Sequence, residues 1–217
     1  KMLDMGFYED ILRIIRHLPV KRQNLLFSAT MPGKMRELAK RILHDPTEVN
    51  IAISKPAAGI LQNAYLVYDS QKIPLTRDIL IAKNLDSVLI FASTKSGVKA
   101  LEKELLRMKL SAKAIHSDLT QSERESVLLS FRNRNTKILV ATDILSRGID
   151  IENIGLVINY DVPGDAEDYV HRVGRTARAA STGEAITLIN EKDQRRFSQI
   201  EEFIEKEVPK LPLPTEL

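Results

Sequence analysis

The sequence predicts an α/β fold, a parallel sheet flanked by helices, and three observations carry that prediction. Apolar runs at Ala64–Tyr68, Val88–Phe91, Ala112–Ile115 and Ile138–Ala141 begin about 25 residues apart. Each gap holds one helical pattern, which is how repeated strand–helix units read in a sequence. The Ile138–Ala141 run is aliphatic throughout rather than alternating, as a strand buried on both faces of a parallel sheet requires.

Taken in order, the chain opens with Phe7, Ile11, Ile14 and Leu18 at helical spacing, and Pro19 closes that helix. NLLFSAT, Asn24 to Thr30, reads as a short buried strand ending in hydroxyl residues. Pro32 suits the first turn of a second helix, whose apolar face is Met35, Leu38 and Ile42. Asp45 and Pro46 end it, and Glu48 to Ile53 reads as another strand. Two helices and two strands are too few to bury a parallel sheet on both faces, so the segment is expected to be the tail of a larger domain. SKPAAG, between Ile53 and Leu61, breaks the periodicity and reads as a linker. The expected division is therefore residues 1–57 and 58–217.

From Gln62 onward strands and helices alternate. Val98, Leu101, Leu105 and Met108 mark the helix after the second run. Leu156–Tyr160 and Glu184–Ile189 add strands, Phe197, Ile200, Ile204 and Val208 mark the last helix, and the LPLP tail is extended. Right-handed crossovers put every strand end on one sheet edge. Those ends carry Ser93, Thr94 and Lys95, then His116 and Asp118, then Thr142 and Asp143.

Composition narrows the function classes. A hydrophobic share of 43% and a charged share of 28% over 217 residues describe a folded globular chain, and +3 with a pI near 9.0 tolerates nucleic acid without demanding it. Cysteine is absent, which excludes disulfides and thiolate metal sites and fits a reducing compartment. No apolar run nears the ~20 residues that span a bilayer. The start has no signal-peptide core either, and a cytoplasmic location is expected. The four histidines have no metal-ligand spacing, so no metal site is expected in this chain.

The stretch Lys137–Arg178 concentrates the polar chemistry. Thr142, Asp143, Arg147, Gly148 and Asp150 follow one strand, and His171, Arg172, Arg175 and Arg178 follow the next. Ligands of open parallel sheets sit outside the carboxyl ends of strands. Arginines three apart share one side of a helical turn, and guanidinium forks onto phosphate oxygens. A salt-bridge network is the other reading of the same arginines. None of the nine glycines lies within six residues of another, which rules out GxxxxGK[ST] and GxGxxG. What remains is a polar strand edge and an arginine group without a phosphate loop. Individually, Ser28 and Thr30 read as strand-end hydroxyls, His116 as a structural histidine, and Gln121 with Arg124 as a solvated helix face.

In combination these residues resemble the DEAD-box family of superfamily 2 RNA helicases. SAT (Ser28–Thr30) is similar to motif III, LIFASTKS (Leu89–Ser96) to motif IV, and QSER (Gln121–Arg124) to the QxxR element. VATDILSRGID (Val140–Asp150) resembles motif V and HRVGRTAR (His171–Arg178) motif VI. The ending, TGEAITLINEKDQ through VPKLPLP, looks most like the bacterial RhlE-type branch. KMLDMGF resembles the segment immediately after the DEAD tetrapeptide, so the sequence is expected to start just past that motif, with the Q motif, Walker A loop and Asp-Glu pair missing. Ala177 and Ser117 stand where the family more often has glycine.

The resemblance implies a RecA-like second domain preceded by a remnant of the first. It implies that Arg175 and Arg178 reach the γ-phosphate of ATP, with Arg178 as the finger, and that Gly148 and Asp150 belong to the nucleotide site, Asp150 on the ribose. It places Thr94, Lys95, Gln121, Arg124, Thr142, Asp143, Arg147 and Gly148 on the RNA backbone. Ser28, Thr30, His171 and Arg172 are expected to couple the two domains. ATP and Mg2+ would be bound mainly by the missing first domain, and the parent would unwind short RNA duplexes non-processively. Alone, the chain is expected to bind RNA weakly, to hydrolyse almost nothing, and to expose apolar faces before about Pro56 that invite self-association. A non-enzymatic RNA-binding or partner-docking module and a DNA helicase of the same superfamily are the alternatives.

Overall fold

The computed structural model describes residues 6–27, 31, 33–49, 59–143, 154–176 and 183–214. The chain divides into two compact units, Lys1–Ile53 and Ser54–Leu217. In the first, α1 (Tyr8–Arg16) and α2 (Gly33–Ile42) form where the apolar spacing predicts. Asn24 Nδ2 donates to the Ile42 carbonyl at the end of α2 at 2.7 Å. Arg41 reaches the Tyr8 hydroxyl at 3.2 Å. The strand expected at Asn24–Thr30 is not formed over its described part, Asn24 to Phe27. Leu25 and Phe27 are 70% and 88% exposed rather than buried. A strand is stable only with a ladder partner, and no described residue of this unit supplies one. Glu48 and Val49 are likewise exposed and outside any strand, and the rest of the expected Glu48–Ile53 strand, residues 50–53, lies outside the described residues.

The second unit is a six-stranded, wholly parallel sheet in the order β1–β6–β5–β2–β4–β3. Its strands are β1 (Leu61–Leu66), β2 (Val88–Phe91), β3 (Ala112–Ile115), β4 (Ile138–Ala141), β5 (Leu156–Asn159) and β6 (Glu184–Ile189). Between and after them lie α3 (Lys72–Lys83), α4 (Lys95–Arg107), α5 (Gln121–Arg132), α6 (Ala166–Val173) and α7 (Gln194–Ile204). Every residue of β2, β4 and β5 is buried, which is why those runs read as continuously apolar. Alternation sorts them into two cores. Val88 and Ile90 pack with Leu75 and Ile79 of α3 and Leu101 and Leu105 of α4. Leu89 and Phe91 face the other way, toward Phe131 of α5, Tyr169 of α6 and Phe197 of α7. The result is the three-layer arrangement expected.

β1 begins three residues before the apolar run. Gln62 and Asn63 are buried although polar, and the Tyr169 hydroxyl donates to Gln62 Oε1 at 2.9 Å. The extended tail also takes up this edge. Ala64 N–H donates to the Pro209 carbonyl and Leu211 N–H to the Ala64 carbonyl, both at 2.8 Å, which covers an otherwise open strand edge. Thr94, Thr120 and Asp165 cap α4, α5 and α6 with their side-chain oxygens. Gly183 leads into β6 so close to Thr176 that a Cβ there would overlap the threonine side chain.

Among the described residues no helix is long and apolar enough to cross a membrane. Within the first unit only Leu38 of the described residues is a buried hydrophobe, whereas Ile14, Val20, Leu25, Phe27 and Val49 are exposed. The amides of α1 and α2 are therefore expected to exchange faster than that of Val140 by about two orders of magnitude or more, read by hydrogen–deuterium exchange. Equal protection would show that another surface covers these side chains.

Candidate nucleic-acid interface

The carboxyl ends of β5, β2, β4 and β3 open onto a cleft of about 620 Å³. Ser93 and Lys95 enter it after β2, His116 and Ser117 after β3, Thr142 and Asp143 after β4, and Val162 and Gly164 after β5. Asp168 of α6 and Arg196 of α7 complete the wall. Hydroxyls, a lysine, an imidazole and an arginine at converging strand ends suit a ligand carrying phosphate and sugar groups.

Of the residues singled out from sequence, Lys95, Thr142 and Asp143 line the cleft. Thr94 lies beside it, with Oγ1 accepting from the Gly97 N–H at 3.0 Å. Lys95 and Lys99 both hold Asp118, at 2.8 and 2.6 Å, and fasten the loop after β3 to the start of α4. Gln121 and Arg124 share the first turn of α5, where Gln121 donates to Glu125 and Arg124 to the Ser117 carbonyl at 3.1 Å. Arg124 Nε and His116 Nδ1 are buried with no hydrogen-bond partner among the described residues. Arg175 and His171 are half-buried. Ser28, Thr30, Arg147, Gly148, Asp150 and Arg178 lie outside the described residues.

The arginines do not share a single helical face. α6 ends at Val173, so Arg175 falls beyond it, and Arg172 turns inward. Arg172 is 2% exposed and forks onto Asp143, with Nε and one terminal nitrogen each at 2.6 Å from a carboxylate oxygen. Its other terminal nitrogen donates to Asn159 Oδ1 at 3.2 Å and to the Asp161 carbonyl at 2.7 Å. The Phe91 ring lies 4.9 Å below the guanidinium. The salt-bridge reading thus holds for Arg172. Asp143, expected on RNA, has its carboxylate engaged by Arg172.

Sequence reasoning missed Asp161, Asn159 and Lys72. Asp161 follows β5 as Asp143 follows β4, and the same strand-end rule would have found it. Lys72, only 3% exposed, pairs with Asp161 at 3.0 Å over the Tyr160 ring. Burial pushes that phenol up to about 12. A lysine opening a helix reads as solvated, so nothing in the sequence marks it. The described residues contain no group of three acidic or histidine side chains placed to hold a metal ion.

A parallel sheet with its polar cleft at the strand ends is the architecture of a RecA-like domain, and comparison with known proteins assigns it. The conserved C-terminal domain of helicases matches residues 71–180. The ATP-dependent RNA helicase DbpA of Bacillus subtilis is 39% identical over 217 residues, all of this chain and 45% of that protein. CshA of Geobacillus kaustophilus, a DEAD-box ATP-dependent RNA helicase, is 38% identical over 99% of this chain and 46% of its own length. Among solved structures, a DEAD box protein of Methanococcus jannaschii is 37% identical with a TM-score of 0.68, covering 97% of this chain and 57% of that one. S. cerevisiae Dbp5 bound to RNA and ADP BeF3 is 29% identical with a TM-score of 0.83, again covering 97% and 57%. The chain belongs to the DEAD-box helicase family, through its conserved C-terminal domain. It spans about half the length of these relatives.

Two measurements check the geometry. Arg172→Met removes the buried guanidinium and both bonds that it gives the Asp143 carboxylate, which should cost about 3–5 kcal/mol. A urea midpoint would read this, and adding Asp143→Leu should recover part of the loss. Strictly additive effects would contradict the pairing. Hydrogen bonds from Lys95 and then Lys99 lower the Asp118 carboxyl from 3.8 to about 2. A depressed folded-state value means that the tie is complete above the unfolded value near 3.8 and is lost as pH falls through about 2. An Asp118 NMR titration midpoint near 3.8 would refute it.

Proposed function

We propose that this chain is the second RecA-like half of an ATP-dependent RNA helicase, with a remnant of the first half in residues 1–57 and the RNA- and nucleotide-facing domain in 58–217. The observation that carries the reading is the cleft itself. Three strand ends bring Ser93, Lys95, His116 and Thr142 to one surface, and these groups suit phosphate and ribose while reading no base. A protein of the same fold is known bound to RNA and ADP BeF3. Separation of the chain into Lys1–Ile53 and Ser54–Leu217 supports the division. The RhlE-type placement rests on the closing sequence alone.

ATP supplies the phosphoryl group whose transfer to water drives the cycle, and the missing half would hold it with Mg2+. This chain contributes cations. Arg175 and Arg178 neutralise charge developing on the phosphoryl oxygens, and a finger of this kind contributes about 10³–10⁵ in rate. Asp150 accepts from the ribose. Thr94, Lys95, Gln121, Arg124, Thr142, Asp143, Arg147 and Gly148 follow the RNA backbone, and contacts to the 2′-OH favour RNA over DNA. Ser28, Thr30, His171 and Arg172 pass the nucleotide state between halves, and the parent separates short duplexes non-processively.

The test is binding and turnover on the same samples. The 217-residue chain should bind single-stranded RNA with an affinity that falls as salt rises, by a log–log slope of about 0.7 per phosphate neutralised. Arg124→Ala should lower that slope by about one such increment. ATP hydrolysis should be near background for the chain alone and RNA-stimulated once the missing half is supplied. Affinity indifferent to salt, or robust turnover by the isolated chain, would overturn the reading.

A further inference from the structure

We propose that Lys72 is a positioning residue for the RNA grip: through Asp161 it fixes the turn that carries Ser93 and Lys95 into the cleft. The inference rests on the RNA reading of that cleft. Lys72 opens α3, outside every motif that the sequence resembles, and its side chain does not line the cleft. Yet it is 3% exposed, which for an ammonium demands a specific reason.

The partners supply that reason. Lys72 Nζ donates to Asp161 Oδ1 at 3.0 Å and lies 3.4 Å from Asp69 Oδ1. The Tyr160 ring centroid is 5.2 Å away, so the desolvated cation also meets a π face. The second Asp161 oxygen accepts the Ser93 N–H at 2.8 Å. Asp161 therefore joins α3 to the β2–α4 turn, and its own carbonyl takes a bond from Arg172 at 2.7 Å. Ser93, Thr94 and Lys95 follow that N–H directly, two of them in the cleft wall and the third capping α4.

Charge explains why the lysine matters to a site it does not touch. The Arg172 fork is spent on Asp143 and gives Asp161 only a bond to its carbonyl. Among the described residues Lys72 is the cation paired with the Asp161 carboxylate. Without it, a carboxylate 26% exposed would turn toward water and release Ser93. The β2–α4 turn would then sample other directions, and RNA would have to order it on binding.

The experiment uses the 217-residue chain, a labelled single-stranded oligouridylate at low salt, and NMR amide exchange. Lys72→Met should speed Ser93 amide exchange and weaken RNA binding, each about tenfold, while Val140 and Ile158 keep their protection. Lys72→Arg, which restores a cation, should recover most of both. Should Lys72→Met fail to fold, Lys72→Gln keeps a donor without the charge and should show both effects at smaller size. Unchanged Ser93 exchange, or faster exchange with unchanged RNA affinity, would overturn the positioning role. A wild-type chain that binds no oligouridylate would instead sink the RNA reading, and the Ser93 exchange rates would still report whether Lys72 holds the turn.

Discussion

A guanidinium buried to 2% beneath the edge of a parallel sheet has to find its counter-charge and its acceptors there, and the edge of this sheet is organised by that demand. Arg172 comes from α6, Asp143 from the end of β4, and Asn159 and Asp161 from the end of β5 and just past it. Phe91, the last residue of β2, lies under the ring of charge. One side chain joins its helix to two strand ends through four hydrogen bonds, and to a third through the Phe91 ring. A lysine could not do this, because a point charge lacks the planar fork that meets two carboxylate oxygens at once.

Such a network is not retained for stability alone. Buried ion pairs are often no better than well-packed apolar residues, and their defensible advantage is geometric uniqueness. Here the geometry fixed is that of the cleft. Thr142 and Asp143 are held on one side through Arg172, and Ser93 on the other through Asp161. The two ties meet at Asp161, whose carboxylate and carbonyl serve different partners. The outer lysines work differently. Lys95, Lys99 and Asp118 are all about half exposed, so their tie is screened by salt and open to exchange for a phosphate. The cleft thus has a rigid charged floor and a softer charged rim.

The fold was legible in the sequence because two-sided burial leaves an unmistakable trace. The Ile138–Ala141 and Val88–Phe91 runs had to be central strands, and they pair side by side in the sheet. β1 was misplaced because Gln62 and Asn63 are buried by hydrogen bonding, which apolar periodicity does not register. Asn24–Phe27 misled in the opposite direction. Its apolar pattern is that of a strand, but a strand is a property of a pair. For the cleft, strand-end residues such as Thr142 were readable from topology alone. The inward turn of Arg172 was not, since spacing along a helix says which residues are neighbours and nothing about where a helix ends.

What the structure adds is a distinction between residues that touch a ligand and residues that hold those in place. Strand-end position identifies both kinds together. Burial separates them, because a group that must meet a ligand keeps solvent-accessible polar atoms, whereas one that orders the backbone is sealed once its partners are satisfied. By that criterion Arg172 and Lys72 belong to the framework, and Lys95, about half exposed, to the contact surface. Asp143 and Asp161 stand between the two, with side chains 23% and 26% exposed. Their carboxylates are the points at which a change in the cleft reaches the sheet beneath it, since neither can move without releasing a buried cation.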